Sequence, residues 1–178
     1  MKSAVDRVPA EKRISPAPEI VGPILEGVRY EREGGSIEQM FSELLSSSMH
    51  SDRVADAHPA LPLIIKQLST DEAAILRTIA STPKRFEIVM KFDILGELTW
   101  SKIERSEVPT DGLVFPQNEV MYRDHLERLG LIRYDTLKPM QPIMENGRQT
   151  GGRNFLTLKL TDFGATLMRA SGIPPKQP

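Results

Sequence analysis

The 178-residue sequence predicts a mainly α chain with a small β part, in which an N-terminal helical bundle is followed by a winged helix-turn-helix-like domain. Three observations lead there. Apolar residues recur at i, i+3, i+4 spacing in four successive blocks between residues 19 and 79, the pattern of helices with one buried face. A helix-like stretch, "HLERLG", stops at Gly130 and runs straight into the apolar "LIRYD". Finally, "NFLTLKL" ends in Thr161 and Asp162, a capping pair that opens "DFGATLMRA".

Each element has its own reason. Residues 1–17 mix charges with Pro9 and Pro16 without periodicity and read as a mobile arm. From Glu19 the residues Val21, Ile24, Leu25 and Val28 line one face of a helix that "GG" at 34 and 35 ends. Ser36 is placed to cap a second helix carrying Ile37, Met40, Phe41, Leu44 and Leu45. Leu61, Ile64, Ile65 and Leu68 make a third stripe, with Pro59 suited to the first helical position. Ser69 or Thr70 caps a fourth helix whose first turn holds Asp71 and Glu72 and whose buried side holds Ile75, Leu76 and Ile79. These helices form the bundle over 18–68 and the first helix of a winged domain over 69–172, leaving 173–178 as a tail.

Within the second unit, "RFEIVMKFD" alternates as a strand and "DILGELTWSKIERSE" reads as a helix through Ile94, Leu95, Leu98 and Ile103. A helix from about Asn118 to Leu129 takes the recognition position, with Gly130 as its C′ residue. The strands "LIRYD" and "NFLTLKL" flank a long wing connection holding Pro139, Pro142, "NG" and "GG".

Composition bounds the chemistry. With 39% hydrophobic residues the chain is long enough to bury roughly 70% of its unfolded surface. The absence of cysteine excludes disulfides, thiol nucleophiles and thiolate zinc sites. A net charge of -1 supplies no global attraction to nucleic acid or anionic lipid. Charge is nevertheless uneven, since residues 1–58 carry 7 basic and 10 acidic side chains and residues 116–178 carry 9 and 6. No 18-residue apolar run and no N-terminal apolar signal core occur, so the expected location is the cytoplasm, without a membrane partner.

Candidate contacts for nucleic acid or a protein partner lie at the start of the recognition helix and on the wing. Gln117, Asn118 and Arg123 are able to meet bases or backbone, although Asp124 and Glu127 share their helix face. Lys138, Arg148 and Arg153 have only Glu145 beside them in the wing, whose tip is therefore suited to phosphates. A solvated hairpin loop accounts for the same residues. The helix at 37–48 and the stripe at 61–68 offer apolar surface for a symmetric homodimer.

The stretch "HSDRVADAHP" places His50, Asp52, Asp56 and His58 within nine positions. A metal site is one reading; a helix junction, with Pro59 holding His58 extended, is the other and the one adopted. His125 reads as a packing residue at the edge of its helix's apolar face. No phosphate loop, nucleophile elbow or HExxH motif occurs, so no catalytic residue, metal or cofactor is assigned.

The same stretch in its wider setting, "MFSELLSSSMHSDRVADAHPALPLIIKQLSTDEAAILRTI", with "LERLGLI" and "LTDFGATLM" further on, resembles the abortive infection alpha family of bacterial proteins. The resemblance covers roughly residues 18–172 and makes His58, Pro59 and Ser69 structural motif residues. It implies a part in phage defence, in which an infected cell stops growing or dies. Three functional classes follow: a noncatalytic defence protein that binds nucleic acid or a host or phage protein, a metal-dependent effector enzyme such as a nuclease, and a transcriptional regulator unrelated to phage.

Overall fold

A computed structural model describes residues 2–176; Met1 of the expected arm and Gln177 and Pro178 of the expected tail lie outside the described residues. In chain order the main elements are α1 Lys2–Asp6, α2 Pro18–Val28, α3 Ser36–Ser48, α4 Leu61–Ile65, α5 Thr70–Ser81, β1 Lys84–Phe92, β2 Leu98–Ser106, α6 Glu119–Arg128, β3 Ile132–Glu145, β4 Arg148–Leu160 and α7 Asp162–Ala170. The strands form one antiparallel sheet in the order β2-β1-β4-β3. The protein is therefore an α/β fold with a substantial sheet, which corrects the expectation of a mainly α chain built from a helical bundle and a winged helix-turn-helix-like domain.

Two local misreadings produced that expectation. The stretch read as a helix, residues 93–107, is a tight turn followed by β2. Asp93 Oδ1 accepts from Leu95 N and Glu97 N at 2.8 and 2.9 Å, and Gly96 adopts φ 85°. The turn reverses the chain, and Trp100, Lys102 and Ile103 then pair along β1. With no helix there, α6 follows a hairpin, and the described residues contain no helix-turn-helix at this place. The second misreading concerns the wing connection, which is almost entirely strand. Only Asn146 and Gly147 form the turn, at φ 51° and 75°, the positive pair that a two-residue hairpin of type I′ needs. Pro139 and Pro142 sit in β3, an edge strand, where a missing N–H breaks no interior ladder.

Smaller expectations fare differently. Ser69 caps α5 in a reciprocal box: its Oγ accepts from Glu72 N at 3.2 Å and its N–H donates to Glu72 Oε2 at 2.7 Å. Gly130 ends α6 region at φ 70°, and Thr161 Oγ1 accepts from Gly164 N at 2.9 Å. Gly35, not Ser36, is the N-cap of α3. Pro59 lies in a turn two residues ahead of α4, whose own first turn holds Pro62.

One continuous core joins all of this, running from Ala4 through Phe41, Leu44, Leu61, Ile65, Leu76, Phe86, Leu126 and Leu158 to Ala170. The apolar stripes at 37–48 and 61–68 are buried in it, so the surface read as a dimer face is consumed within the chain. The close fit shows at Gly27, where an added Cβ would stand 2.4 Å from Cζ of Phe41. Gly164 is equally constrained: a Cβ there would meet the Leu131 carbonyl oxygen at 2.0 Å.

Three consecutive buried serines close α3, and two of them tie it to the first and last helices of the chain. Ser46 Oγ donates to Ala4 O, Ser47 Oγ to Ala170 O and Ser48 Oγ to Leu45 O, each at 2.8 Å. The segment read as a mobile arm is accordingly docked, with Ala4 and Val8 buried and Ile14 N donating to Met49 O at 2.9 Å. Helical patterning missed it because α1 is five residues long and one apolar side chain per turn gives no period.

Candidate functional site

Two regions bring candidate residues together: the junction of α5 with α6, and the end of the sheet that projects past the helices. At the junction, the first turn of α5 supplies two buried carboxylates. Asp71, 3% exposed, accepts from Val114 N at 2.7 Å, Phe115 N at 2.9 Å and the Tyr122 hydroxyl at 3.0 Å. Burial works against its charge, but the two backbone N–H groups and the phenol outweigh it and hold the carboxyl below the usual range. The clamp fixes the 113–118 loop so that Val114 and Phe115 face outward.

Glu72, 4% exposed, spends one oxygen on the α5 cap; its other oxygen lies 2.6 Å from Nδ1 of the half-exposed His125. An ionised carboxylate has no proton to give, so at that distance it accepts a hydrogen bond from Nδ1–H. The pair borders an open cleft of 690 Å³ that Ser69, Gln117 and Asn118 also line. Of the residues singled out in the sequence, these three meet here.

Arg123 does not join them. It is 4% exposed, forks onto Glu119 with Nε at 2.5 Å and Nη2 at 3.2 Å, donates to the Tyr134 hydroxyl and lies 4.8 Å above the Phe86 ring. Burial opposes its charge, yet Glu119 and Tyr134 raise its pKa further from neutrality. The residue read as a nucleic-acid contact is a structural bolt between α6 and the sheet. Projecting the helix at 100° per residue put Arg123 on the outer face because the projection could not know that the sheet passes beneath it.

Lys138, Arg148 and Arg153 are spread along the sheet and each is engaged. Lys138 Nζ sits 3.6 Å from the Phe155 ring centroid. Arg148 donates to the carbonyl of Ile94 across the two hairpins. Arg153 is held between Glu87 and Glu104, both at 3.0 Å. Asp135 likewise draws in Lys159, aided by Arg133 at 3.4 Å, and its pKa is lowered chiefly by the Lys159 hydrogen bond. The pairing of β1 with β4 is what brings Glu87 beside Arg153, two residues 66 positions apart in the chain that no linear reading connects.

At the projecting end, the β1–β2 turn and the β3–β4 turn lie side by side, joined by the Arg148 to Ile94 bond and by pairing of Lys91 with Gly151. Ile94 and Leu95 are 77% and 79% exposed, and Leu98, Trp100, Met140 and Met144 are exposed on the same two hairpins. The sequence reading missed them as a surface because it placed Ile94, Leu95 and Leu98 on the buried side of a helix. The "DILG" turn signal was the available clue.

The stretch from His50 to Pro59 is a junction in the structure. His50 Nδ1 accepts from Asp52 N and His58 Nδ1 from Ala60 N, both at 3.1 Å, so each imidazole closes its own turn. Asp52 pairs with Lys12 at 2.9 Å and Asp56 with Arg169 at 2.9 Å. Among the described residues no group of three His, Asp or Glu side chains is placed to hold a metal ion.

An all-antiparallel sheet backed by helices defines a class by architecture alone and leaves its biology to be found by comparison. The chain belongs to the abortive infection alpha family, whose model matches residues 1–171. No curated protein and no solved structure matches it. Family membership supports an abortive-infection-related role. Among the described residues, no helix is long and apolar enough to cross a membrane.

Proposed function

We propose that the protein is a noncatalytic abortive-infection protein that works in the cytoplasm by docking a host or phage protein through the projecting end of its sheet. One observation carries this reading: the two adjoining hairpin turns expose Ile94 and Leu95 almost fully, while the sheet cations Lys138, Arg148 and Arg153 are already engaged. Exposed aliphatic side chains at a hairpin tip gain nothing from water and favour an apolar partner surface. Arg153 must leave two carboxylates and Arg148 a carbonyl before reaching a phosphate, which weakens the charge-driven part of nucleic-acid binding.

The test is phage challenge of cells carrying the wild-type gene or an Ile94→Lys, Leu95→Lys double variant, with protein abundance and Tm measured alongside. The reading expects the double variant to fold normally and to lose protection. Steep, salt-dependent binding of duplex DNA or RNA by the purified protein, weakened by Arg148→Ala with Arg153→Ala, would replace the protein partner with nucleic acid.

A second reading, an effector enzyme, is favoured by the Glu72 and His125 pair at the 690 Å³ cleft, the arrangement a general base requires. It expects His125→Gln to abolish protection at unchanged Tm while the hairpin variant keeps it. The opposite outcome removes it.

A further inference from the structure

We infer that the groove between α3, the end of α5 and the end of α7 binds a small phosphate-bearing ligand. Two hollows make up this groove, of 490 and 410 Å³, and they share Glu43 and Gly172. Each is within the size range of small-molecule sites, roughly 300–1,000 Å³. Neither contains a residue used in the docking reading, so the inference stands apart from it.

Three features of the groove lack a structural purpose in the free protein. Arg77 lines the larger hollow and Arg53 the smaller, both partly buried. Neither guanidinium has a hydrogen-bond or carboxylate partner among the described residues, whereas the other two arginines that are partly or fully buried, Arg123 and Arg153, are each held by carboxylates. The planar guanidinium fork matches phosphate oxygens, and one that no protein acceptor holds is free to take them. The third feature is Ser171, a residue of the larger hollow that is 3% exposed and whose buried hydroxyl has no hydrogen-bond partner among the described residues. Buried hydroxyls are normally satisfied, as those of Ser46, Ser47 and Ser48 are in the same region.

The charge around these groups favours an anion. Arg7 and Arg169 border the same hollows, paired with Glu43 and Asp56, so four arginines face two carboxylates. Gly172 keeps the groove open to Glu43: at φ 75° an added Cβ would stand 2.9 Å from the Glu43 side chain. A phosphate group would take the Arg77 fork and the Ser171 hydroxyl at one end, and the remainder of the molecule would extend toward Arg53.

The experiment measures Tm and calorimetric binding of the full chain with orthophosphate, pyrophosphate, ribose 5-phosphate and 5′-AMP, each against sodium chloride at equal ionic strength. The expected result is a saturable Tm rise with at least one of these, reduced about tenfold or more in affinity by Arg77→Gln. Ser171→Ala should weaken the same binding without lowering the Tm of the free protein, since its hydroxyl holds nothing there. Binding of orthophosphate alone would identify a free anion as the ligand; binding only of the organic phosphates would assign the rest of the groove to the sugar or base. No shift with any probe overturns the inference. So does a shift retained in Arg77→Gln, or an Arg77→Gln protein that merely loses stability, which would make Arg77 a counter-charge for the carbonyl end of α5.

Discussion

The two ends of the one sheet live in different solvents. At the helix-covered end, Phe86 is 2% exposed, meets Tyr134 edge-on at 5.6 Å and carries the Arg123 guanidinium above its ring. At the projecting end, six residues further along β1, the chain turns through Ile94 and Leu95 in open water. Both ends are antiparallel pairs of the same sheet, and the main difference is what lies against the side chains. Hydrogen bonding thus pairs the strands at both ends, with shifts of register along the way, whereas burial, and with it stability, is concentrated where helices cover the sheet.

That contrast can be broken by substitution, and the largest effect is expected at Phe86. Phe86→Ala should cost about 4 kcal/mol in urea unfolding, from lost burial together with the cavity left under Arg123. A loss below about 1 kcal/mol would mean that the covered end is looser than its packing implies.

Next comes Asp71→Asn, which keeps the shape but removes the charge that three donors share; about 2 kcal/mol is expected. The same group sets an acid limit. Its folded-state pKa lies below that of the unfolded chain, so its stabilisation is complete above about pH 4 and is lost as pH falls through the depressed folded value. Chemical denaturation between pH 2 and 6 should therefore show a stability slope that Asp71→Asn flattens. An unchanged slope would place the acid sensitivity elsewhere.

The smallest effect on stability, within about 0.5 kcal/mol of zero, is expected for Ile94→Lys with Leu95→Lys, because neither side chain leaves water on folding. A large loss would show that these residues pack in solution and would sharpen the contrast away.

Much of the helical layer was legible from residues. The period of Ile37, Met40, Phe41, Leu44 and Leu45 identifies α3, and Ser69 three positions before Glu72 identifies the start of α5. The misread parts share a cause. "DILGELTWSK" has apolar residues that satisfy a helical period, and only the Asp93 and Gly96 turn decides for a hairpin. The candidate site was legible in part: Gln117, Asn118 and Ser69 do reach one cleft, but the Glu72 and His125 pair there joins residues 53 positions apart.

By itself the sequence determined the absence of thiol chemistry, the near-neutral charge, the amphipathic helices with the Ser69 and Thr161 caps, and the resemblance that family membership bears out, because composition and local periodicity are properties of neighbouring residues. Tertiary structure alone decided that four strands form one sheet, that Arg123 is buried, that Asp71 clamps a loop over 40 residues away, and that Arg77 and Ser171 share a groove without partners. Those facts depend on which distant segments pack together, and local spacing carries no information about that choice.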